Sequence, residues 1–195
     1  GIEGRDNPSN GYNFGFGIKQ DFFKANFSYE YDLRHTFTFG LNTIRYRLNP
    51  GFIEPAGAES IVIPEEVNPE QALETSIYIG DNFEVTDEFS INFGMRYAVY
   101  NYLGPNTIRE YKPGLPISPP NLVGETTFSN GQTIKTYSGP EFRISARYSL
   151  NNISSIKAGY NTNRQFIHLL TNNAAIAPTD IWKLSDPNIR PQWGD

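Results

Sequence analysis

The chain has no cysteine, one methionine, two histidines and two tryptophans among its 195 residues. Without cysteine there is no disulfide framework, no thiolate zinc site and no thiol nucleophile. Two histidines, His35 and His168, lie too far apart in sequence for ligand spacing, so each is read as structural or solvated rather than metal-binding. No apolar run approaches the roughly 20 residues of a membrane helix, which excludes helical spans and leaves barrel strands untouched. A basic surplus is also missing: the formal net charge is -5, so nucleic acid is not an expected partner. No Gly-x-Ser-x-Gly elbow occurs, and the Gly-x-Gly within Gly11 to Gly17 lacks a third glycine, so neither nucleophilic catalysis nor phosphate cradling is expected. The chain is read as a non-enzyme with no cofactor.

What the chain does contain is aromatic. Phe and Tyr supply 26 residues while mean hydropathy is -0.48. That combination suits strands with one apolar and one polar face better than helices. The clearest alternation runs from Phe89 to Tyr100. Phe89, Ile91, Phe93, Met95, Tyr97 and Val99 share one face, opposite Ser90, Asn92, Gly94, Arg96, Ala98 and Tyr100. Its length is close to the ~9–11 residues of a tilted membrane strand. The runs 142–150 and 23–31 repeat the pattern. It is less regular in three others: the strand begun by Phe37, Phe39 and Leu41 blurs near Ile44 to Leu48, Asp81 interrupts the row Ile77, Ile79, Phe83, Val85, and the last begins at Ile156. For Asp81, a bulge and a pairing at the water interface both remain open.

Six strands are therefore expected, near 21–31, 36–48, 75–86, 88–100, 141–150 and 155–170. Short polar links at Asp32–His35, Thr86–Glu88 and Asn151–Ser154 read as tight turns. Long Pro-, Gly-, Asn- and Glu-rich stretches at 49–74, 101–139 and 171–195 read as loops. Alternating short turns and long loops is the pattern of an outer-membrane barrel and is unusual in a compact soluble domain. Because hydrocarbon cannot satisfy an open strand edge, and six strands are fewer than the ~8 of the smallest common barrels, the expectation is a partial barrel: three hairpins of an all-β, antiparallel, up-and-down transmembrane barrel. The run Ile2-Glu3-Gly4-Arg5 matches a protease site used with expression tags; residues 1–5 are read either as a tag remnant or as native loop and set aside.

The segments Gly17–Asn42, Thr75–Pro105 ("TSIYIGDNFEVTDEFSINFGMRYAVYNYLGP") and Gly139–Asn172 resemble, in order, the barrel of Bacteroidetes-type TonB-dependent receptors, and Ala177–Asp195 is similar to the extracellular segment that follows. In that group a carboxypeptidase-regulatory-like domain often precedes the plug. The resemblance implies a barrel of about 22 strands, set in outer-membrane lipid, closed by a plug and energised through TonB. It implies import of a nutrient such as an iron chelate, cobalamin, a glycan or a peptide. No motif for the plug, the TonB box or a substrate site is present in these residues.

By parity, Arg96, Tyr100, Arg143, Arg147, Lys157 and Asn161 are the lumen-facing candidates for contact with substrate or plug. The plainer reading, preferred here, is a hydrogen-bonded, charge-paired wall. Tyr29, Tyr31 and Tyr97 are expected in the interfacial aromatic girdle. Trp182 and Trp193 fall in the last loop, where they contact a ligand or pack the loop. Glu54, Glu59, Glu65, Glu66 and Glu70 are read as a solvated acidic loop rather than a calcium site, since EF-type spacing is absent. The competing architectures are a soluble β-sandwich, acting as adhesin or carbohydrate-binding module, and another outer-membrane barrel or secretion component. The sandwich requires the aromatic faces to pack on each other.

Overall fold

A computed structural model describes residues 11–116, 118–170 and 181–195. The Ile2–Arg5 run and residues 171–180 of the last expected loop lie outside the described residues. The strands are β1 (Tyr12–Glu30), β2 (His35–Pro55), β3 (Glu65–Glu66), β4 (Glu70–Glu84), β5 (Phe89–Leu103), β6 (Asn106–Tyr111), β7 (Leu122–Phe128), β8 (Thr133–Asn151), β9 (Ser154–Asn161), β10 (Asn163–Gln165), β11 (Ile167–Leu170), β12 (Ile181–Leu184) and β13 (Gln192–Gly194). Six long strands form one antiparallel sheet in the order β1-β2-β4-β5-β8-β9, curled into a half-barrel, with β3 added to β2. β6 pairs with β7, β10 with β13 and β11 with β12. Among the described residues there is no α-helix.

The three tight turns share one chemistry, a short polar side chain accepting backbone N–H groups. Asp32 Oδ1 accepts from Arg34 and His35, both at 2.8 Å. Thr86 Oγ1 accepts from Glu88 and Phe89, and Asn151 Oδ1 from Ile153. The Arg34 N–H, with smaller help from His35, holds the Asp32 carboxyl below its ordinary range.

The two faces of the sheet are chemically distinct. The row Phe27, Phe39, Ile79, Met95, Phe142 crosses five strands in register on the outward face. Each of these side chains is solvent-exposed, with the Phe27 and Phe39 rings stacked 5.4 Å apart. No second sheet covers this face among the described residues, contrary to what a soluble sandwich requires. The outward face stays apolar up to the row Phe23, Thr43, Thr75, Val99, Ser138. Beyond it stand Asp21, Arg45, Asn101 and Thr136. The change is seen at one level on four of the five strands, with Leu73 of β4 the exception in that row, much as at the edge of a bilayer. Tyr29, Tyr31 and Tyr148 lie toward the short turns, and Tyr97 toward the long loops.

Asp81 marks no bulge: pairing runs without a shift from Phe37 through Asp81 to Phe93. It sits on the outward face near the short turns. There its Oδ2 lies 2.8 Å from His35 Nδ1, and the imidazole stacks 4.3 Å from Phe83.

Several boundaries differ from the sequence expectation. β2 runs seven residues past 48 to Pro55, and β8 begins at Thr133 rather than near 141. The stretches expected as loops at 49–74 and 101–139 thus begin and end as strand, and between them hold β3 and the β6–β7 hairpin. Once a strand leaves the bilayer its outward face meets water, so the lipid-facing apolar row that reveals it disappears. The strand expected over 155–170 stops at Asn161, where the chain turns inward. Thr162 ties that turn to β8: its N–H donates to Phe142 O at 2.8 Å, and its Oγ1 accepts from Phe142 N at 2.9 Å.

Candidate functional site

The inward face is polar within the belt and gains an aromatic core above it. Arg96 lies at its centre. Nη1 donates to Glu141 Oε2 at 2.7 Å, and Nη2 to Glu74 Oε1 at 2.5 Å. Both carboxylates are buried. Tyr46 completes the cluster by donating to Glu74 Oε2 at 2.8 Å. The arrangement follows from antiparallel register, since Arg96 faces Tyr78 on one side and Glu141 on the other. At this level Tyr78 lies over Gly40 and its hydroxyl meets Asn26, so a Cβ at Gly40 would collide with that hydroxyl and with Ala25 O. Glycine here is what lets the ring lie flat on the wall.

One turn of sheet higher, the chain after Thr162 folds back across the inward face. Phe166 stacks on Tyr100 with ring centroids 4.4 Å apart and planes 2° from parallel. Tyr100 donates to Ser185 O at 2.9 Å and Tyr137 to Asp186 O at 2.7 Å. Glu70 holds β12 through the Leu184 N–H at 2.9 Å and through the Lys183 ammonium. Tyr46, Leu48, Ala72, Tyr100, Tyr102, Phe166 and Leu184 form the buried cluster beneath. Burial, reinforced by the Glu70 charge, raises the Tyr100 and Tyr102 phenols above their ordinary value. Burial also lowers His168, partly offset by Asp186; its Nε2 lies 2.9 Å from Ser185 Oγ. Arg164 clamps the turn, donating to Pro140 O at 2.9 Å with its guanidinium 4.6 Å from the Trp193 ring.

The six lumen-facing candidates therefore divide into two groups. Arg96 and Tyr100 are built into the wall, Arg96 by two carboxylates and Tyr100 beneath the folded-back segment, where it has no exposure left. Arg143, Arg147, Lys157 and Asn161 remain exposed within the belt, Arg143 opposite Asn161 and Arg147 opposite Lys157. Arg143, with Lys24, Tyr78 and Asn92, rims a hollow of about 290 Å³ floored by the Gly80–Gly94 pair. Here the wall offers cationic and amide groups to whatever fills the lumen.

Sequence reasoning missed Glu70, Glu74, Glu141, Tyr46 and Tyr137 as members of this network. Glu74 and Glu141 share the parity of Arg96 once pairing is known. Glu70 does not belong to a solvated acidic loop: it opens β4 and is buried, because a cation and a backbone N–H converge on it. Trp182 sits half-buried opposite Leu169, packed against the core cluster. Among the described residues, no three His, Asp or Glu side chains are placed to share a metal ion.

A family model described as TonB dependent receptor-like, beta-barrel matches residues 2–191. No curated protein and no solved structure matches the chain significantly. The apolar outward belt, the polar inward wall and the alternation of tight turns with long upper connections are what that match requires of the structure. The chain belongs to the TonB-dependent receptor-like β-barrel family.

Proposed function

We propose that this chain is an arc of the wall and outer mouth of a bacterial outer-membrane importer that takes up a nutrient such as an iron chelate, cobalamin, a glycan or a peptide. One observation carries the reading. A sheet with a bare apolar outer face presents an exposed Arg143–Arg147–Lys157 stripe inward, and its mouth is partly filled by the folded-back segment. Further strands close the lumen, since β1 and β9 each have a free edge among the described residues and hydrocarbon leaves no backbone unpaired. The resemblance to the Bacteroidetes-type group supports a plug and an energising TonB complex as partners of the parent receptor. Members of this family are transporters rather than enzymes.

The absence of cysteine permits a direct test. Single cysteines replace Phe93, facing outward, and Asn92, facing inward, in the membrane-inserted protein. A membrane-impermeant maleimide should label the Asn92 position through the lumen and leave the Phe93 position unreacted; equal labelling of both would refute the orientation. Uptake of radiolabelled ferric chelate, cobalamin, oligosaccharide and peptide, each with and without collapse of the proton gradient, then identifies the cargo class. Gradient-independent uptake of all four would favour a passive barrel instead.

A further inference from the structure

One carboxylate interrupts the apolar outward face. In the row Tyr29, Phe37, Asp81, Phe93, Ile144, which crosses the sheet in register, Asp81 is the only acid and the smallest side chain. A short group between two phenyl rings leaves a gap. A groove of about 350 Å³ lies there, lined by Asp81 and the Gly80–Gly94 pair together with Phe37, Ile79, Phe93, Met95, Phe142 and Ile144. Apart from Asp81 its side chains are all apolar.

Asp81 is only half satisfied. His35 Nδ1 lies 2.8 Å from Oδ2, while Oδ1 is buried and has no hydrogen-bond partner among the described residues. The residue keeps 4% of its exposure. Whether the proton of the pair sits on the imidazole or on Oδ2, Oδ1 is left as an acceptor without a donor. Hydrocarbon supplies none, and an ionisable residue at membrane depth is costly, rare and usually functional.

Depth narrows the chemistry of the missing donor. Asp81 lies five residues from Thr86 in the short turn. At ~3.3 Å per residue on a strand tilted by roughly 40°, it stands about 12 Å above that turn. The turn carries Asp87 and Glu88 and so belongs to water and headgroups, a layer roughly 5–8 Å deep. Asp81 therefore sits just inside the hydrocarbon, where acyl chains join the lipid backbone, in the leaflet on the periplasmic, short-turn side. Ester-linked lipids present only carbonyl acceptors at that level. An amide-linked lipid of the ceramide type presents an amide N–H and a free hydroxyl, both donors.

We propose that this groove binds an amide-linked lipid of the inner leaflet, its N–H or backbone hydroxyl donating to Asp81 Oδ1 and one acyl chain lying along Phe93, Met95 and Phe142. His35, stacked 4.3 Å from Phe83, fixes the other carboxylate oxygen. The proposal rests on the membrane orientation given above, which the cysteine-labelling test checks separately. Correct labelling without a lipid preference would sink this inference and leave the orientation standing.

Native mass spectrometry of the intact detergent-solubilised protein, titrated with ceramide phosphoethanolamine and with diacyl phosphatidylethanolamine of matched chain length, tests it. The two lipids share a headgroup and differ at the linkage. The ceramide form should be retained about tenfold more tightly, as one hydrogen bond to a charged acceptor requires. Its N-methylated, O-methylated analogue should fall back to the level of the ester lipid. D81L removes the acceptor and keeps the lipid face apolar; it should abolish the preference, whereas D87N, at the turn, should keep it. Because the lipid comparison needs no substitution, it decides the matter even where a variant fails to fold. Equal retention of the two lipids, an undiminished preference in D81L or for the methylated analogue, or exclusion of both lipids by a second copy of the chain, seen as a dimer in the spectrum, would each overturn the proposal.

Discussion

At the scale of single residues, Arg96 is the most constrained charge in the wall. Removing it leaves Glu74 and Glu141, both buried, sharing a site without a cation. Breaking such a buried arrangement costs about 3–5 kcal/mol when fully desolvated. The guanidinium keeps 30% of its exposure, so Arg96→Met is expected to cost about 2–3 kcal/mol. Urea unfolding in lipid vesicles measures this, and adding Glu74→Gln and Glu141→Gln should restore most of the loss. No restoration would mean that Arg96 acts through packing rather than charge. The parity of Arg96 was legible in the sequence, because alternation over Phe89 to Tyr100 is unbroken. Its partners were not, since Glu74 and Glu141 are placed by register between strands 22 and 45 residues away.

At the scale of elements, the folded-back segment hangs on a few latches. Glu70→Ala removes the acceptor of the Leu184 N–H and the counter-ion of Lys183. A hydrogen bond to a charged group is worth about 1.5–3 kcal/mol, so hydrogen exchange at the Leu184 amide should accelerate about tenfold or more. Unchanged exchange would show that the aromatic stack of Phe166 on Tyr100 holds the segment unaided. His168 adds a pH dependence. Its proton affinity is lowered on docking, so the detached segment takes up the proton first. Docking is therefore at full strength above the ordinary histidine value of about 6.5 and weakens as pH falls below it. Trp182 fluorescence followed from neutral to mildly acid pH reads this, and His168→Gln should flatten the profile. Sequence alternation showed the membrane-level part of the long strands and missed the upper ends, by far the most on β1, β2 and β8. The reason is physical: above the belt the outward face meets water, and the inward face at Tyr46 and Leu48 packs on a cluster built from distant segments, so the outward alternation that hydrocarbon enforces is gone. Nothing local marks the inward turn at Thr162, because its partner Phe142 is 20 residues away.

At the scale of the whole molecule, the belt sets the energetics. Lysine on the lipid face near the midplane costs about 2–4 kcal/mol, while the same change facing the lumen costs little. Phe93→Lys should therefore lower folding stability in vesicles by about that amount, and Asn92→Lys, one residue away, should not. Comparable losses for both would mean the face assignment is wrong.

The 21 residues of β2 extend along about 70 Å of chain, whereas the apolar band of such barrels is only ~25 Å tall. The buried aromatic cluster at Tyr46, Tyr100 and Phe166 stands just above that band, beside the level of Arg45 on the outward face. A solute meeting it is still surrounded by an aqueous, salt-screened environment. Those rings are packed on one another and under the folded-back segment, so contacts at the proposed mouth have only the modest strength that ions and hydrogen bonds have in water. In the importer proposed above, a solute past this vestibule enters the stretch of lumen ringed by hydrocarbon, where the exposed Arg143, Arg147 and Lys157 would act at longer range.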